Sequence, residues 1–451
     1  MLLIHTLGCK LNQLESEAFA DAFLQAGFSL HSQADENSPS LVLINTCTVT
    51  SKADQKARRV IRKALRDFPD SCVIVTGCYA QLDQERISGL EEGEGGRLFV
   101  LKGGEKESLL TLPVFLAENK GDFRSLLKTW CERAEDRTLR AAAYHDGVFQ
   151  FNPGRFSGHT RGFLKIQDGC DKHCTYCRVR LARGPSVSLD AEEVLARLRI
   201  LEENHAEAVL TGVNICRYRS NAAPNLPRLL EYLLAGTKKI AIRLSSLEPE
   251  NIDEDFIGIL SNKRIRPHFH LSIQSGCKKI LEKMGRAYDA QTVEKTAALL
   301  RRAKNDPFLA CDIIAGFPGE SEAEFQETYE MCKKIDFAWI HAFPYSKRPG
   351  TPAFSFSDTV REGEATSRVQ MLTCLARRGR AGYARRWFGC EVEVLVENGG
   401  GSNFCRGVSE NYLKLLVRYK GEPPLPGAVL RCKLIEEPET GADYDAAAVF
   451  I

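Results

Sequence analysis

Residues 168–177 read Asp-Gly-Cys-Asp-Lys-His-Cys-Thr-Tyr-Cys and place Cys170, Cys174 and Cys177 in one short loop. The spacing is C-x3-C-x2-C, with the aromatic Tyr176 directly before the third cysteine. Such spacings let the backbone curl so that three thiolates face a common centre, and soft thiolates select iron–sulfur clusters, zinc or copper. No fourth cysteine follows within reach of the loop, which leaves one metal position open, as in catalytic sites.

A structural zinc site is the alternative interpretation of this loop. It needs a fourth ligand, such as His173, which lies between two of the cysteines and would form a tight chelate. The motif resembles the signature of the radical S-adenosylmethionine (SAM) superfamily. That resemblance implies that the three cysteines hold three irons of a [4Fe-4S] cluster, and that the amino and carboxylate groups of SAM bind the fourth iron.

The composition bounds the class of protein. A length of 451 residues predicts two to four domains, and a formal net charge of +2 means that any nucleic-acid partner must bind local patches. Sixteen cysteines without secretory features favour a reducing compartment, with cysteines as metal ligands or buried residues. We expect neither a signal peptide nor a membrane span, and a cytoplasmic location.

Apolar runs alternate with helical patterns in the first hundred residues. We predict strands at 2–7, 41–46, 72–76 and 97–101, with helices at 15–26 and 52–68 between them. Alternation of this kind predicts a parallel sheet of doubly wound type.

A cysteine follows each of the first three predicted strands: Cys9, Cys47 and Cys78. Because the carboxyl ends of parallel strands meet at one edge, these residues should converge on a shared metal cluster. The alternative is three buried cysteines that behave as small apolar residues, an interpretation that suits Cys72 at the start of its strand.

The same stretches resemble the N-terminal domain of the methylthiotransferases: Thr6–Gln13, Asn45–Thr50 with Ala53-Asp54, and Thr76–Cys78. The resemblance implies that Cys9, Cys47 and Cys78 hold a second [4Fe-4S] cluster involved in supplying sulfur. Lys10 and the run Thr48-Val49-Thr50 resemble the branch that acts on threonylcarbamoyladenosine in tRNA.

From Gly162 onward six strand signals alternate with helices, at 163–166, 208–211, 240–245, 268–275, 310–317 and 337–343. They predict a partial (βα)6 barrel with its chemistry at the carboxyl ends of the strands. Gly, Ser, Asn or Gln recurs after consecutive strands, which favours a ligand across the barrel mouth over simple turns. The segment resembles the methylthiotransferase radical SAM domain, and the resemblance makes Gly212, Ser245, Gln274 and Asp312 candidates for the SAM pocket.

One stretch departs from the family pattern. Residues 178–184 read Arg-Val-Arg-Leu-Ala-Arg-Gly, where relatives more often carry an apolar pair, proline and tyrosine before Ala-Arg-Gly. Arg178 and Arg180 could bind phosphate near the cluster or form a solvated face, and we favour the solvated face.

The C-terminal segment begins after a helix predicted at 367–387, which carries Arg377, Arg378, Arg380, Arg385 and Arg386. That helix is either a basic RNA-binding patch or an exposed helix between domains. Short alternating runs at 391–396, 412–417, 429–434 and 446–450 then predict a small antiparallel β-barrel. This segment resembles the TRAM domain, an RNA-binding module. Its last residues are acidic: Glu436, Glu437, Glu439, Asp443 and Asp445. Any affinity for RNA would therefore rest on the preceding helix or on the basic residues Arg406, Lys414, Arg418 and Lys420.

Together these patterns predict an α/β chain of three domains, at 1–120, 161–387 and 388–451, with a linker at 121–160. The resemblance implies an enzyme that uses two SAM molecules and two [4Fe-4S] clusters. In the reaction that this resemblance implies, a 5′-deoxyadenosyl radical would take hydrogen from carbon 2 of threonylcarbamoyladenosine 37, in the tRNA anticodon loop, and a methylthio group would replace it. An electron donor, such as a flavodoxin-type protein, and a sulfur source are expected partners. Alternatives are isopentenyladenosine tRNA or a ribosomal protein as substrate, or a non-enzymatic iron–sulfur RNA-binding module.

Overall fold

The computed structural model describes residues 1–31, 38–91, 96–140, 147–154, 156, 160–399, 403–436 and 444–451. Two parallel α/β assemblies are followed by a closed β-barrel. Of the acidic residues expected near the C-terminus, Glu437, Glu439 and Asp443 lie outside the described residues. No helix in the described ranges is long and apolar enough to cross a bilayer.

The N-terminal assembly is a parallel sheet with helices on both faces. Its elements are β1 (Leu2–Thr6), α1 (Lys10–Gln25), β2 (Leu41–Thr46), α2 (Ser51–Asp67), β3 (Cys72–Gly77), α3 (Cys78–Leu82), α4 (Gln84–Ser88) and β4 (Leu98–Val100). The strands pair in the order β1-β2-β3-β4. Leu43 of β2 packs in a core with Phe19 of α1, whereas its neighbour Ile44 packs with Ile61 of α2. Alternate residues of β2 therefore pack against helices on opposite faces of the sheet, as expected of a doubly wound sheet.

The segment after β4 is more helical than a linker. It contains α5 (Leu112–Glu118) and α6 (Phe123–Arg140). Leu127 and Trp130 of α6 are buried in the same core as Phe19. The first part of the expected linker at 121–160 is thus a helix packed on the N-terminal assembly.

The central assembly is the partial barrel that the sequence predicted. Its elements are β5 (Gly162–Lys165), β6 (Gln167–Asp168), α7 (Val179–Arg183), β7 (Val187–Ser188), α8 (Ala191–Asn204), β8 (Glu207–Thr211), α9 (Leu226–Gly236), β9 (Ala241–Leu244), α10 (Glu254–Leu260), β10 (His268–Gln274), α11 (Lys278–Met284), α12 (Ala290–Ala303), β11 (Phe308–Ala315), α13 (Glu322–Ile335), β12 (Trp339–Pro344) and α14 (Glu362–Arg386). Parallel sheets β5-β8-β9 and β10-β11-β12 meet at a bridge between Leu247 and Leu271.

Helix α1 connects the two assemblies. Its Leu14 packs against Phe163 of β5 and Val209 of β8. Their neighbours Leu164, Ala208 and Leu210 belong to the core shared with the outer helices. Since strand residues alternate between faces, Leu14 contacts the inner face of the partial barrel. The start of α1, which follows Cys9, is thereby brought next to the barrel.

The C-terminal strands close into a barrel in the order β13-β14-β15-β17-β16, with bounds β13 (Glu391–Gly399), β14 (Phe404–Ser409), β15 (Lys414–Arg418), β16 (Val429–Ile435) and β17 (Ala446–Phe450). All pairs are antiparallel except β15–β17, which is parallel. Sequence analysis missed β14. Its apolar alternation is broken, because Phe404 is exposed and Gly407 packs tightly under Val394.

Candidate active site

The structure brings the three strand-end cysteines of the N-terminal assembly together. Cys9 precedes α1, Cys47 follows β2 and Cys78 is the first residue of α3. The charge of Cys78 acts on both other thiols, and a Cβ at position 8 would lie 3.1 Å from the Cys47 sulfur. Burial raises the pKa of the Cys47 thiol to about 12 and also raises that of Cys9. A bound metal would be needed to hold them as thiolates at neutral pH.

Two local features shape this edge. The Asn12 side chain donates hydrogen bonds of 2.9 Å to the carbonyls of Leu7 and Thr46, tying the ends of β1 and β2 together. Gly77 has φ +98°, and a Cβ there would lie 2.4 Å from the Thr46 carbonyl oxygen. Only glycine suits both the conformation and the space, and the turn it makes sets the position of Cys78.

The loop between β6 and α7 carries the second set of cysteines. Backbone N–H groups of Lys172 and Val179 donate to the sulfurs of Cys170 and Cys177, each at 3.4 Å. Such donors favour the thiolate form. The charges of Cys170 and Cys174 both act on Cys177, so the three thiols face one region, and burial raises the pKa of the Cys177 thiol to about 11.

The geometry of the loop disfavours a single zinc ion. Both ring nitrogens of His173 lie within 2.7 Å of the Arg180 guanidinium, so that histidine is engaged away from the cysteines. Among the described residues, no three His, Cys, Asp or Glu side chains are spaced to share one metal ion. Three thiolates without a fourth ligand are the soft donor set expected of an iron–sulfur cluster with one open metal position.

Charged side chains fasten this loop to the segment after β9. Arg286 donates to the Tyr176 hydroxyl at 3.0 Å and pairs with Glu248 at 2.9 Å. Glu248 also pairs with Lys172 at 2.8 Å. Burial raises the pKa of Tyr176 well above its usual value, so the residue stays a neutral phenol.

Three of the four predicted SAM-pocket residues lie at or directly after the carboxyl ends of barrel strands, whereas Asp312 lies three residues before the end of β11. Gln274 and Asp312 line a cavity, and Gln274 has the unusual φ of +70°. Gly212 and Ser245 directly follow β8 and β9, and neither lines that cavity. The Ser245 hydroxyl oxygen is buried, and no partner for it occurs within the described chain. Such a group is available to a bound ligand.

Sequence analysis missed Asn214 and Glu248 as candidates. The buried carbonyl oxygen of the Asn214 side chain has no partner in the described part of the protein. The same side chain faces Cys170 and Glu248. Both residues stand in the strand-end motifs, yet only the fold places them beside the cysteine loop.

The cavity encloses about 200 Å³ between the N-terminal assembly and the barrel. Cys78 and Cys177, one from each set of cysteines, both line it, together with Thr48–Thr50 and Phe343–Ser346. Arg348 closes its side through an ion pair of 2.7 Å with Asp54 and a hydrogen bond of 2.6 Å to the Thr48 hydroxyl. The two cysteine sites thus open onto one cavity.

Comparison with known proteins identifies the family. Residues 1–94 match a family described as "Uncharacterized protein family UPF0004", and residues 164–332 match the "Radical SAM superfamily". A threonylcarbamoyladenosine tRNA methylthiotransferase of Treponema pallidum is 38% identical, over 93% of this chain and 94% of that protein. The corresponding protein of Bacillus subtilis is 33% identical over 96% and 93%. The chain belongs to the threonylcarbamoyladenosine tRNA methylthiotransferase family.

More distant similarities agree with this assignment. A tRNA-2-methylthio-N(6)-dimethylallyladenosine synthase of Bacillus velezensis is 29% identical over 97% of this chain and 84% of that protein. The solved structure of the radical SAM methyltransferase TsrM from Kitasatospora setae, with cobalamin and a [4Fe-4S] cluster bound, is similar with a TM-score of 0.51. It is 16% identical and covers 78% of this chain and 76% of TsrM. The likeness to TsrM shows the fold of a radical SAM enzyme.

A buried charge network joins the two assemblies of this methylthiotransferase. Arg183 pairs with Glu15 and with Asp168, each at 3.1 Å, and Lys106 pairs with Glu15 at 2.5 Å. Lys165 pairs with Asp168 in the same network. Burial alone would raise the pKa of Glu15, but Lys106 and Arg183 hold it at about 2.

The prediction that Arg178 and Arg180 form a solvated face is wrong for Arg178. Arg178 is buried, with 8% of its surface exposed, and pairs at 3.1 Å with Asp83, which follows α3 of the N-terminal assembly. Arg180, two residues on, is exposed. Arg178 also lines the cavity, so this departure from the family pattern lies at the junction of the two cysteine sites.

Helix α14 and the C-terminal barrel divide the predicted basic residues into two groups. Arg380 pairs with Asp445 at 2.6 Å, and Arg386 pairs with Asp306 at 2.8 Å. The other predicted cations are exposed: Arg377, Arg378, Arg385, Arg406, Lys414, Arg418 and Lys420. The helix therefore serves both as packing between domains and as a cationic surface.

Proposed function

We propose that this enzyme methylthiolates carbon 2 of N6-threonylcarbamoyladenosine at position 37 of tRNA. The observation that supports it most directly is the shared cavity, because a residue from each cysteine triad lines it. A substrate base held there would face both sites at once. Proximity of this kind converts an encounter between separate sites into an intramolecular step.

The cysteine triads are proposed to hold two [4Fe-4S] clusters. Cys170, Cys174 and Cys177 would hold one, and its open iron would bind SAM. When bound, that cluster supplies the electron that cleaves SAM to methionine and a 5′-deoxyadenosyl radical. Cys9, Cys47 and Cys78 would hold the cluster involved in sulfur supply, and the backbone donors to Cys170 and Cys177 support thiolates at the first site.

The side chains around the cavity are proposed to bind and orient the reactants. Gln274, Asp312, Ser245 and Asn214 would contact SAM. Gln274 and Asp312 line the cavity together with Cys177, Asn214 faces Cys170, and Asn214 and Ser245 carry unpartnered buried oxygens. In the proposed reaction the C2–H bond is replaced by C2–S–CH3. The hydrogen leaves in 5′-deoxyadenosine, and a second SAM gives the methyl group.

The surrounding parts have proposed roles as well. The N-terminal assembly would carry the sulfur-supplying site, the barrel the radical site, and the C-terminal barrel the RNA-binding surface for the anticodon arm. A flavodoxin-type protein is the expected electron donor, with a separate sulfur source. The expected cytoplasmic location stays a prediction.

Iron and sulfide analysis after anaerobic reconstitution tests the two-cluster proposal. The parent should contain about eight irons, and the triple variant Cys9→Ala/Cys47→Ala/Cys78→Ala about four. Cys72→Ala is the matched control, because Cys72 is buried at the opposite end of β3 from Cys78. This variant should retain about eight irons. About four irons in the parent would remove the sulfur-supply half of the proposal.

The substrate is tested separately by mass spectrometry of tRNA nucleosides. A strain that lacks the gene should lose 2-methylthio-N6-threonylcarbamoyladenosine and regain it with the parent gene. Loss of the methylthio isopentenyl nucleoside instead, or of a modified ribosomal protein, would reassign the substrate.

A further inference from the structure

The interior of the barrel, below the cavity, carries ionisable side chains that the steps above do not use. Glu207, Arg243 and His268 occupy inward positions of β8, β9 and β10, since their neighbours along each strand pack in the outer core. Tyr412 of the C-terminal barrel closes the space from beneath. Its ring centroid lies 3.9 Å from that of His268 and 5.0 Å from the Arg243 guanidinium carbon.

Most cations here have an anionic partner. Arg243 and Arg266 pair with Glu207 at 2.6 and 2.9 Å. Lys10, the first residue of α1, is different. Its ammonium lies in the field of Tyr412, Arg243 and Glu207, and within the described chain no hydrogen bond or salt bridge engages it. Its charge also acts on His268 and His341, so it reaches into the barrel from the N-terminal assembly.

A second observation points to a missing anion. Arg243 has 1% of its surface exposed, yet its Nη1 atom has no partner within the described residues. A buried donor left without an acceptor costs free energy that an added acceptor would recover. Carboxylate is the natural complement, because its two oxygens accept from a guanidinium and an ammonium together.

Polar rings connect this interior with the cavity. Asp312 lies on the cavity wall, 3.0 Å from the His270 imidazole. The His270 ring centroid is 5.2 Å from that of His341. The His341 ring stacks on the ring of Phe343, another cavity residue, with centroids 6.4 Å apart. His270 precedes the cavity residue Gln274 by four positions on β10, roughly 13 Å along the strand. A substituent that extends inward from a base in the cavity would approach Lys10.

We propose that Lys10 and Arg243 bind the carboxylate of the threonylcarbamoyl group and thereby select the modified adenosine. This inference rests on the proposed function. The dimethylallyl group named for the more distant relatives is uncharged and apolar, and so it would leave the Lys10 ammonium and the Arg243 Nη1 atom without an acceptor. The pair would therefore discriminate between the two modified bases by charge.

The test measures binding of anticodon stem-loops to the reconstituted holoenzyme. One stem-loop carries threonylcarbamoyladenosine, and the other carries its methyl ester, which lacks the charge. The parent should bind the acid at least about tenfold more tightly than the ester, the range for a hydrogen bond to a charged group. Lys10→Gln should lose most of this preference and keep only the part that Arg243 supplies, and Lys52→Gln, which changes an exposed lysine at the start of α2, should behave as the parent.

Each outcome decides between the possibilities. If the parent does not methylthiolate the acid stem-loop, the proposed function fails and this inference with it. If the parent does so but binds acid and ester equally, or if Lys10→Gln keeps the full preference of the parent, this inference alone is wrong. SAM carries the other carboxylate in the reaction, so weaker SAM binding by Lys10→Gln, with the acid preference retained, would assign the site to SAM instead. The comparison of acid with ester in the parent decides the question even if Lys10→Gln does not fold.

Discussion

The Arg183 guanidinium lies 3.1 Å from the Glu15 carboxylate, and this ion pair joins α7 of the barrel to α1 of the N-terminal assembly. Only 5% of the Arg183 side chain and none of the Glu15 side chain is exposed. The same guanidinium donates to the Asn12 side-chain oxygen at 3.0 Å, and Asn12 in turn holds the ends of β1 and β2. The network thus fixes the cysteine-bearing edge against the barrel.

Replacing this arginine should destabilise the protein strongly. Arg183→Met leaves Glu15 and Asp168 buried with fewer cationic partners, and breaking a buried pair in this way costs roughly 3–5 kcal/mol. We expect a large fall in the melting temperature, measured by circular dichroism. Arg180→Met changes an exposed arginine of the same helix and should shift stability by no more than about 0.5 kcal/mol. Equal shifts for the two variants would show that the network contributes little.

Gly77→Ala should damage the N-terminal cysteine site. A side chain at φ +98° is strained, and its Cβ would lie 2.4 Å from the Thr46 carbonyl oxygen, so the turn before Cys78 must move. We expect destabilisation of roughly 1–3 kcal/mol and loss of part of the reconstituted iron. Iron analysis and thermal unfolding measure the two effects.

Gly89→Ala provides the comparison. Gly89 has an ordinary negative φ, and its nearest neighbour to an added Cβ is the Glu85 carbonyl oxygen at 3.6 Å. The substitution should change the free energy of unfolding by no more than about 0.5 kcal/mol, and the variant should keep its full iron content. Retention of all iron by Gly77→Ala would mean that the Gly77 turn does not control the cluster site.

Much of the fold could be predicted because it depends on local pattern. The buried strand Leu41–Thr46 begins with four consecutive apolar residues, and the cysteine spacing of the loop is itself the signal. The burial of Arg178 could not be predicted, because its partner Asp83 lies in a different assembly and far away in the sequence. Strand β14 was missed for a different reason: closure of the barrel, and not its own alternation, makes it a strand.

The approach of Lys10 and Tyr412 also depends on tertiary structure alone. One residue follows a cysteine near the N-terminus and the other stands in a C-terminal turn with φ +71°. In the sequence, Asn411-Tyr412 stands shortly after Arg406-Gly407, in the segment that resembles the RNA-binding TRAM domain. The structure turns the Tyr412 ring towards His268 inside the central barrel. No periodicity within either segment carries that information.

Stability should depend on pH through Glu207. Burial alone would raise its pKa, but Arg243 and Arg266 hold the pKa at about 2, below the ordinary value of 4.5. A depressed carboxyl pKa stabilises the folded state above the unfolded pKa, and this contribution is lost as the pH falls from about 4.5 towards 2. In Glu207→Gln that part of the pH dependence should disappear.

The measurement compares melting temperatures of the cluster-free parent and Glu207→Gln between pH 7 and pH 2.5. The variant should be less stable at pH 7, because two buried arginines lose their anion, and the difference should narrow as the pH falls. Glu231→Gln changes an exposed carboxylate on α9, and its melting temperature should follow that of the parent over the whole pH range. A gap that stays constant with pH would argue against Glu207 as the titrating group.

Binding of tRNA should be sensitive to salt through the groove between α14 and the C-terminal barrel. Trp339, Arg377, Lys414 and Tyr444 line it, and Arg377 and Lys414 are both exposed. Cations that contact phosphates release counterions, which lowers the logarithm of the binding constant by roughly 0.7–0.9 per contact for each unit of log salt concentration. Arg377→Gln/Lys414→Gln should therefore weaken tRNA binding and reduce that slope by about 1.4–1.8.

A control variant that removes two other exposed cations distinguishes tRNA binding at this groove from a general effect of net charge. Lys120→Gln/Lys128→Gln also removes two exposed cations, but in the N-terminal assembly, where Lys120 lies between α5 and α6 and Lys128 lies on α6. We expect the salt slope of that variant to equal that of the parent in filter-binding titrations at several salt concentrations. Equal losses in both double variants would indicate non-specific attraction. A loss confined to Lys120 and Lys128 would move the RNA-binding surface to the N-terminal assembly, because only cations in contact with phosphate change the slope.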